Sequence, residues 1–156
     1  MKPFDLYPGE GETFLPKRSG SNSRRGYGLQ LQRLTNQHRC AYCNVDLVSD
    51  YYRWLLLNVD HVIPESECIR LGIPEEWAQS LSNQVISCSG CNLFDNRYQM
   101  LDVESKSEWV PLEFFELRNR IFKDRAEKIR HRREEEQAFF SDAPWTTNEG
   151  LIDSGK

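Results

Sequence analysis

The sequence predicts a single α+β domain in which four cysteines hold a small sheet and the helices around it. Two Cys-x-x-Cys pairs are separated by 44 residues, a run of aromatic and branched residues over 51–62 predicts a buried strand, and apolar residues recur at helical spacing beyond Pro111. A chain of 156 residues is long enough for one modest core with flanking arms and too short for two cores. One functional module is therefore expected.

Residues 1–28 predict a flexible basic N-terminal arm. They are rich in Gly, Ser, Pro and Arg and lack apolar periodicity. Arg24 and Arg25 lie in the last part of this arm and are candidates for contacts with a polyanion. A short helix from Leu29 toward Gln37 is expected to follow and to end before the first cysteine pair.

Two strands are predicted on either side of a connecting segment. The run over 51–62 has the composition of a largely buried strand, and residues 84–87 form a second, shorter run. The connection over 65–82 predicts irregular structure with one short helix near Pro74, because proline is tolerated in a first helical turn. A helix over 92–100 is predicted after the second strand and the cysteines that follow it.

Residues 111–140 predict one long amphipathic helix. Apolar residues recur there at intervals of three and four, and a basic run that includes Arg118 and Arg125 is assigned to the opposite face. This helix could pair two chains into a homodimer or pack on its own core, and the sequence does not decide between the two. Residues 141–156 have little to bury and predict a loosely ordered tail.

The net charge of −4 hides a strong segregation of charge along the chain. Residues 1–40 carry a net charge of +4, residues 41–110 carry −7 and residues 111–156 carry −1. Basic flanks could hold a polyanion such as DNA and an acidic centre could hold cations, but solvated helix faces have the same composition. The overall charge therefore excludes neither nucleic acid nor protein as a partner.

A cytoplasmic location without a membrane segment is expected. No apolar run approaches the roughly 20 residues that a membrane-spanning helix requires, and the first twelve residues lack the pattern of a signal peptide. In a reducing compartment, paired cysteines indicate metal ligation rather than disulfides. The fifth cysteine, Cys68, is expected to be a small buried hydrophobic residue.

The paired cysteines predict a structural zinc site with Cys40, Cys43, Cys88 and Cys91 as its ligands. Four thiolates have the number and the softness that a closed tetrahedral zinc site requires. The two pairs can converge only if the chain between them folds back, as the strand-loop-strand prediction allows. Such a site contributes on the order of 10 kcal/mol to folding, but it does not define a function, because zinc ribbons serve many purposes.

Asp60 and His61 fall at the end of the predicted first strand, and Asn92 directly follows the last cysteine. A carboxylate and an amide oxygen suit a hard divalent ion, and a histidine with an ordinary pKa of about 6.5 can take a proton from water at neutral pH. An Asp-His pair alone is common on protein surfaces. Together with Asn92 and the cysteines, it favours a metal-dependent nuclease.

These residues resemble the motif of the HNH, or ββα-metal, endonuclease family, and specifically of its members with a four-cysteine zinc site. The matching elements span a little over a third of the chain and are Cys40-x-x-Cys43, Asp60-His61-Val-Ile-Pro64, Asn83 and Cys88-x-x-Cys91-Asn92. The resemblance implies a ββα-metal core, which is a two-stranded hairpin plus a helix, stapled by the zinc site and flanked by helices. It places the nuclease domain at residues 29–110.

The resemblance also implies roles for single residues. His61 would be the general base that activates water, and Asp60 and Asn92 would be ligands of the catalytic metal. Asn83 would be the central asparagine that orients His61 through backbone hydrogen bonds, although an ordinary turn residue also fits that position. Asn92 could alternatively cap the helix that it begins.

One position departs from the family pattern. Many relatives carry a histidine or a lysine about one helical turn after the position of Asn92, where this chain has Asn96 followed by Arg97. Asn96 shares a helix face with Asn92 and could complete the metal site, whereas Arg97 could hold a phosphate oxygen. Both assignments stay open.

The expected activity is hydrolysis of DNA phosphodiester bonds with Mg²⁺ or Mn²⁺, which leaves a 5′-phosphate and a 3′-hydroxyl. The expected substrate contacts are Arg97, Arg24, Arg25, Arg118 and Arg125. RNA is a less favoured substrate on the same scaffold. The competing class is a non-catalytic zinc ribbon that binds nucleic acid or a partner protein.

Overall fold

The computed structural model describes residues 3–8, 13–15, 24–95 and 97–143, and in these ranges it confirms an α+β architecture. A two-stranded antiparallel sheet is surrounded by helices. In chain order the elements are a 3-10 turn (Pro3–Leu6), α1 (Tyr27–Thr35), α2 (Tyr51–Leu55), β1 (Leu57–His61), α3 (Glu65–Leu71), α4 (Glu75–Ala78), a second 3-10 turn (Leu81–Asn83), β2 (Gln84–Cys88), α5 (Ser89–Phe94) and α6 (Pro111–Asp142).

The sheet separates the two groups of residues that the sequence singles out. β1 and β2 pair with Leu57 opposite Cys88 at one end and His61 opposite Gln84 at the other. Every residue of β2 is buried. The cysteines therefore lie at one end of the sheet, and the Asp-His pair lies at the other.

The first strand is shorter than predicted, because residues 51–55 form α2 instead of strand. The side chain of Asp50 caps this helix by accepting a hydrogen bond from the backbone nitrogen of Arg53 at 3.0 Å. Aromatic and branched residues indicate a strand only when they are buried, and Tyr51 and Tyr52 are exposed. The strand prediction is wrong for this half of the run and correct for β1.

The segment between the strands is more helical than predicted. It contains α3 and α4 where the sequence indicates an irregular connection with one short helix. Pro64 and Pro74 directly precede these two helices, and buried Cys68 and Leu71 anchor α3 to the core.

The helix predicted over 92–100 begins and ends earlier. As α5 it starts at Ser89, because the side chain of Cys88 accepts a hydrogen bond from the backbone nitrogen of Cys91 at 3.4 Å and serves as the cap. The alternative role of Asn92 as a helix cap is therefore wrong.

The described part of the predicted N-terminal arm is packed into the core. Phe4, Tyr7 and Leu15 are buried, and the ring of Phe4 contacts Phe122 edge to face at 5.5 Å between centroids. Isolated aromatic residues in a polar segment carry no periodicity, which is why the sequence indicates a flexible arm there. The basic stretch of the arm over 16–23 lies outside the described residues.

The long helix predicted over 111–140 is present as α6, and its first half belongs to the same core as the sheet. Phe114, Ile121 and Ile129 are buried in the hydrophobic cluster that also contains the apolar residues of β1 and β2. Residues 130–142 of α6 are exposed, and most of the predicted tail, 144–156, lies outside the described residues. Among the described residues, no helix is both long and apolar enough to cross a membrane.

We predict that Gly72→Ala lowers the free energy of unfolding by about 2 kcal/mol or more. Gly72 ends α3 with a φ of 73°, and a Cβ there would lie 2.4 Å from the carbonyl oxygen of Lys106. Gly90→Ala is the control, because a Cβ at Gly90 meets no atom within 4 Å, and its effect should stay within about 1 kcal/mol. Urea denaturation measures both, and equal losses would contradict this account of Gly72.

Candidate functional site

The four paired cysteines converge into one cluster. The Sγ atoms of Cys40, Cys43, Cys88 and Cys91 all lie within 4.8 Å of one another. The first pair lies in a turn after α1, where the backbone nitrogen of Cys40 donates to the carbonyl of Val45 at 2.9 Å, and the second pair spans the end of β2 and the start of α5. Four sulfurs in this arrangement could bind a zinc ion.

Hydrogen-bond donors surround this cluster and favour thiolates over thiols. The backbone nitrogen of Cys88 donates to Cys40 Sγ at 3.3 Å, and that of Cys91 donates to Cys88 Sγ at 3.4 Å. Arg133 of α6 adds a guanidinium group whose Nη1 is 3.7 Å from Cys91 Sγ. Thiolates are the form that ligates a metal, so the donor set fits a divalent cation such as zinc.

Cys68 lies apart from the cluster and is buried, as expected. Its thiol donates to the carbonyl of Ile63 at 3.7 Å. Burial raises the pKa of Cys68 to about 12, so this residue stays a thiol at neutral pH.

A pocket of about 330 Å³ opens at the other end of β1. Its lining includes Asp60 and His61 from β1, Asn92 from α5, Arg125 from α6 and Glu65 from α3. Three residues that the sequence singles out, Asp60, His61 and Asn92, therefore meet at one cavity.

His61 is mostly buried in the wall of this pocket. Its Nε2 lies 3.2 Å from the amide nitrogen of Gln84 and 3.8 Å from a carboxylate oxygen of Glu65. Burial lowers the pKa of His61, and the opposing effect of Glu65 is smaller. The imidazole is therefore neutral at pH 7 and able to accept a proton. Sequence reasoning missed Glu65 and Gln84, since their proximity depends on α3 and on the strand register.

Asp60 is held by two partners. Its Oδ1 accepts from Arg125 Nη2 at 3.2 Å and its Oδ2 accepts from the hydroxyl of Tyr42, while Arg125 Nη1 lies 2.9 Å from Oδ2 as an ion-pair contact. A carboxylate has about four accepting positions, and the two hydrogen bonds occupy two of them. Sequence reasoning missed Tyr42, which lies between the first two cysteines.

Arg125 is an internal residue, so its predicted role as a contact to substrate phosphates is wrong. Only 1% of its surface is exposed. Besides Asp60, its guanidinium donates to the carbonyls of His61 at 2.8 Å and Val62 at 3.0 Å, and its Nε donates to Asp95 at 3.3 Å. Burial raises the pKa of the Asp95 carboxyl, and Arg125 opposes this shift. Arg125 therefore fastens the end of β1 to α5 and α6.

Arg118 is also buried, and its predicted role as a phosphate contact is wrong for the same reason. Its Nη1 donates to the carbonyl of Ser82 at 2.9 Å, and its guanidinium lies 3.7 Å from the ring centroid of Phe4 and 4.6 Å from that of Phe115. Both arginines occupy the apolar face of α6. The spacing Ile121-Arg125-Ile129 is the signal in the sequence that indicates this position for Arg125.

Asn83 ties together the segments on both sides of the pocket. It is fully buried, its Oδ1 accepts from the backbone nitrogen of Ile63 at 3.0 Å, and its Nδ2 donates to the carbonyls of Ile63 and Ala78, both at 3.0 Å. Its own carbonyl accepts from the backbone nitrogen of Val62 at 2.8 Å. The backbone that follows His61, at Val62 and Ile63, is therefore fixed by side-chain and backbone hydrogen bonds.

Three of the remaining predicted site residues, Arg24, Arg25 and Arg97, do not line the pocket. Asn96 lies outside the described residues, and Arg97 is exposed. Arg24 packs on α2 with its guanidinium 5.0 Å from the ring centroid of Trp54, and Arg25 is exposed beside it. The assignment of Asn96 or Arg97 to the site is thus still a prediction.

No protein-family model matches this chain, and comparisons with curated proteins and with solved structures find no match. Any function must therefore be inferred from the contacts within the chain. They provide a four-sulfur cluster and a pocket lined by Asp60, His61 and Asn92.

We predict that Cys40→Ser reduces bound zinc well below about one ion per chain and lowers stability by several kcal/mol, because one of four ligands is lost. Cys68→Ala is the matched control, since Cys68 is equally buried and lies outside the cluster. It should keep its metal and lose no more than about 2 kcal/mol. Atomic emission and urea denaturation provide the two readouts. Full zinc content in Cys40→Ser would count against the cluster as a metal site.

We also predict that Arg125→Met lowers the free energy of unfolding by about 3–5 kcal/mol, because Asp60 and Asp95 would lose the cation between them. Arg130→Met is the control on the same helix. Arg130 is exposed and paired with Glu134, so its replacement should cost at most about 0.5 kcal/mol. Similar unfolding midpoints for the two variants would refute a fastening role for Arg125.

Proposed function

We propose that this protein is a divalent-metal-dependent endonuclease of the HNH type that hydrolyses DNA, with a zinc ion at the four cysteines as its structural frame. The observation that carries the proposal is the meeting of Asp60, His61 and Asn92 at one pocket. These residues match the family motif in type and order, and they come from two different elements of the fold.

His61 is the proposed general base. Its imidazole is neutral at pH 7 because burial lowers its pKa, so it can take a proton from a water molecule that attacks the phosphorus. The backbone that follows the ring is fixed, since Arg125 holds the His61 carbonyl and the carbonyl of Asn83 accepts from the backbone nitrogen of Val62. A fixed base keeps the attacking water in line without a reorganisation during reaction.

Asp60 and Asn92 are the proposed ligands of the catalytic ion. A carboxylate oxygen and an amide oxygen in one pocket suit Mg²⁺, with Mn²⁺ as a substitute. Asp60 keeps about two accepting positions beyond its hydrogen bonds to Arg125 and Tyr42. When bound, the ion would polarise the phosphodiester and stabilise the departing 3′ oxygen.

A non-catalytic zinc module that binds nucleic acid or protein is the second candidate. The observation that favours it is the ion pair between Asp60 and buried Arg125, because such a pair can also be purely structural. The two candidates differ in one measurable respect, which is bond cleavage that depends on His61.

We predict that the protein nicks supercoiled plasmid in Mg²⁺ and that His61→Ala slows this reaction by about 10²–10⁴-fold, because the base is lost. His131→Ala is the control, since His131 is exposed on α6 and is not among the residues that line the pocket. Reactions without metal should omit Mg²⁺ rather than add a chelator, which would also remove zinc. The nicks should be closed by DNA ligase, as expected for 5′-phosphate and 3′-hydroxyl ends.

Circular dichroism and zinc content establish that the His61 variant is folded. Failure of the wild type to cut plasmid, single-stranded DNA, branched DNA and RNA would reject the nuclease proposal and leave the binding module. Faster cleavage of RNA than of DNA would identify RNA, instead of DNA, as the substrate.

A further inference from the structure

We infer that the exposed aromatic face of α2 is a docking surface for unpaired nucleotides of a nucleic-acid substrate. The surface, called the α2 patch, consists of Tyr51, Tyr52, Arg53, Arg24 and Arg25. The inference deepens the nuclease proposal and rests on it for the identity of the ligand as substrate.

The tyrosines of the α2 patch face solvent, although each has a large apolar ring that burial would stabilise. Tyr51 is 64% exposed and Tyr52 is 78% exposed. The ring of Tyr51 lies 5.8 Å from that of Tyr52 and 6.3 Å from that of Trp54, with an interplanar angle of 29° in the second case. Neighbouring rings that are open to solvent offer faces on which bases can stack.

Positive charge is concentrated around these rings. The guanidinium of Arg24 lies over Trp54, and its Nη1 donates to the carbonyl of Leu55 at 3.3 Å, so the segment before α1 is joined to α2. Arg25 is exposed in that segment, and Arg53 is half exposed and 3.4 Å from Asp50. Among the described residues, the ion pair shown for these three arginines is that of Arg53 with Asp50, and the surplus of positive charge favours a polyanion over an apolar or basic protein surface.

The combination of rings and arginines selects unpaired over paired nucleotides. In a duplex the faces of the bases are covered by their stacked neighbours, and a side chain can stack on a base only where the strand is open. Proteins that hold single strands combine aromatic rings with a basic surface in this way. Single strands, flaps and junctions are therefore the expected ligands.

The α2 patch is continuous in the chain with the strand that carries the pocket. β1 begins two residues after α2, at Leu57, and runs to His61. The four steps of this strand span about 13 Å. An unpaired strand of a few nucleotides spans a comparable length. Nucleotides on the patch would thus lie within a few steps of His61.

Binding of a fluorescein-labelled single-stranded 20-mer and of its duplex, followed by anisotropy in low salt without divalent ions, tests this inference. We expect the double variant Tyr51→Ala/Tyr52→Ala to bind the single strand at least about tenfold more weakly, and the duplex about threefold more weakly at most. The matched control is Phe139→Ala/Phe140→Ala, which removes two rings that are 66% and 57% exposed on α6. The control should change both dissociation constants less than about twofold.

A second pair of variants tests the charge of the patch. Arg25→Gln should make the dependence of log affinity on log salt shallower by about 0.7 for the single strand, as for one lost phosphate contact. Arg132→Gln is its control, because Arg132 is exposed but paired with Glu135 and Glu136 of α6. An unchanged salt dependence in Arg25→Gln would show that Arg25 makes no phosphate contact in the α2 patch.

The inference is overturned if the tyrosine variant binds the single strand like the wild type, if both aromatic pairs weaken binding equally, or if the wild type prefers duplex. Its failure is distinguishable from failure of the nuclease proposal, because His61→Ala should bind like the wild type. A protein that cuts DNA but tolerates the tyrosine changes contradicts the α2 patch alone. A protein that binds through the patch and never cuts contradicts the nuclease alone.

Discussion

The guanidinium of Arg125 is the group on which the arrangement of the pocket depends. A buried cation is tolerated only when anions and acceptors surround it, and here the carboxylates of Asp60 and Asp95 and three backbone carbonyls do so. Those partners belong to the end of β1 and to the residue after α5, while Arg125 belongs to α6. Three elements distant in sequence are thereby held at one point. The orientation of the Asp-His pair is consequently a property of the tertiary structure.

The helix α6 repeats this mode of attachment along its length. Arg118 bonds the carbonyl of Ser82 before β2, Arg125 bonds the end of β1, and Arg133 reaches Cys91. These arginines follow one another at intervals of seven and eight residues, about two helical turns, so they share one face. α6 therefore contacts both the four-cysteine cluster and the pocket. The distance between these two centres is set partly by one helix that contacts both.

Local sequence rules predicted the parts of the site that chemistry alone identifies. The cysteine spacing indicated the four-sulfur cluster, and residue order placed Asp60 and His61 at a strand end. The same rules failed where burial was decisive. Arginine on a helix indicates exposure to solvent, which is wrong for Arg118 and Arg125, and aromatic composition indicates a buried strand, which is wrong for α2. Glu65 and Gln84 were missed because only the register and α3 bring them to His61.

The position of Arg125 in the chain also determines how long a segment must be to contain the complete site. All motif residues fall between Cys40 and Asn92, and the resemblance placed the domain at 29–110, yet the cation that holds Asp60 comes from beyond that boundary. A segment cut at residue 110 would keep every residue of the motif, but the buried carboxylate of Asp60 would lose its cation, Arg125. Recombination that preserves the site must therefore transfer the motif together with the first half of α6. The segment that must be transferred as a whole is therefore longer than the sequence motif that identifies it.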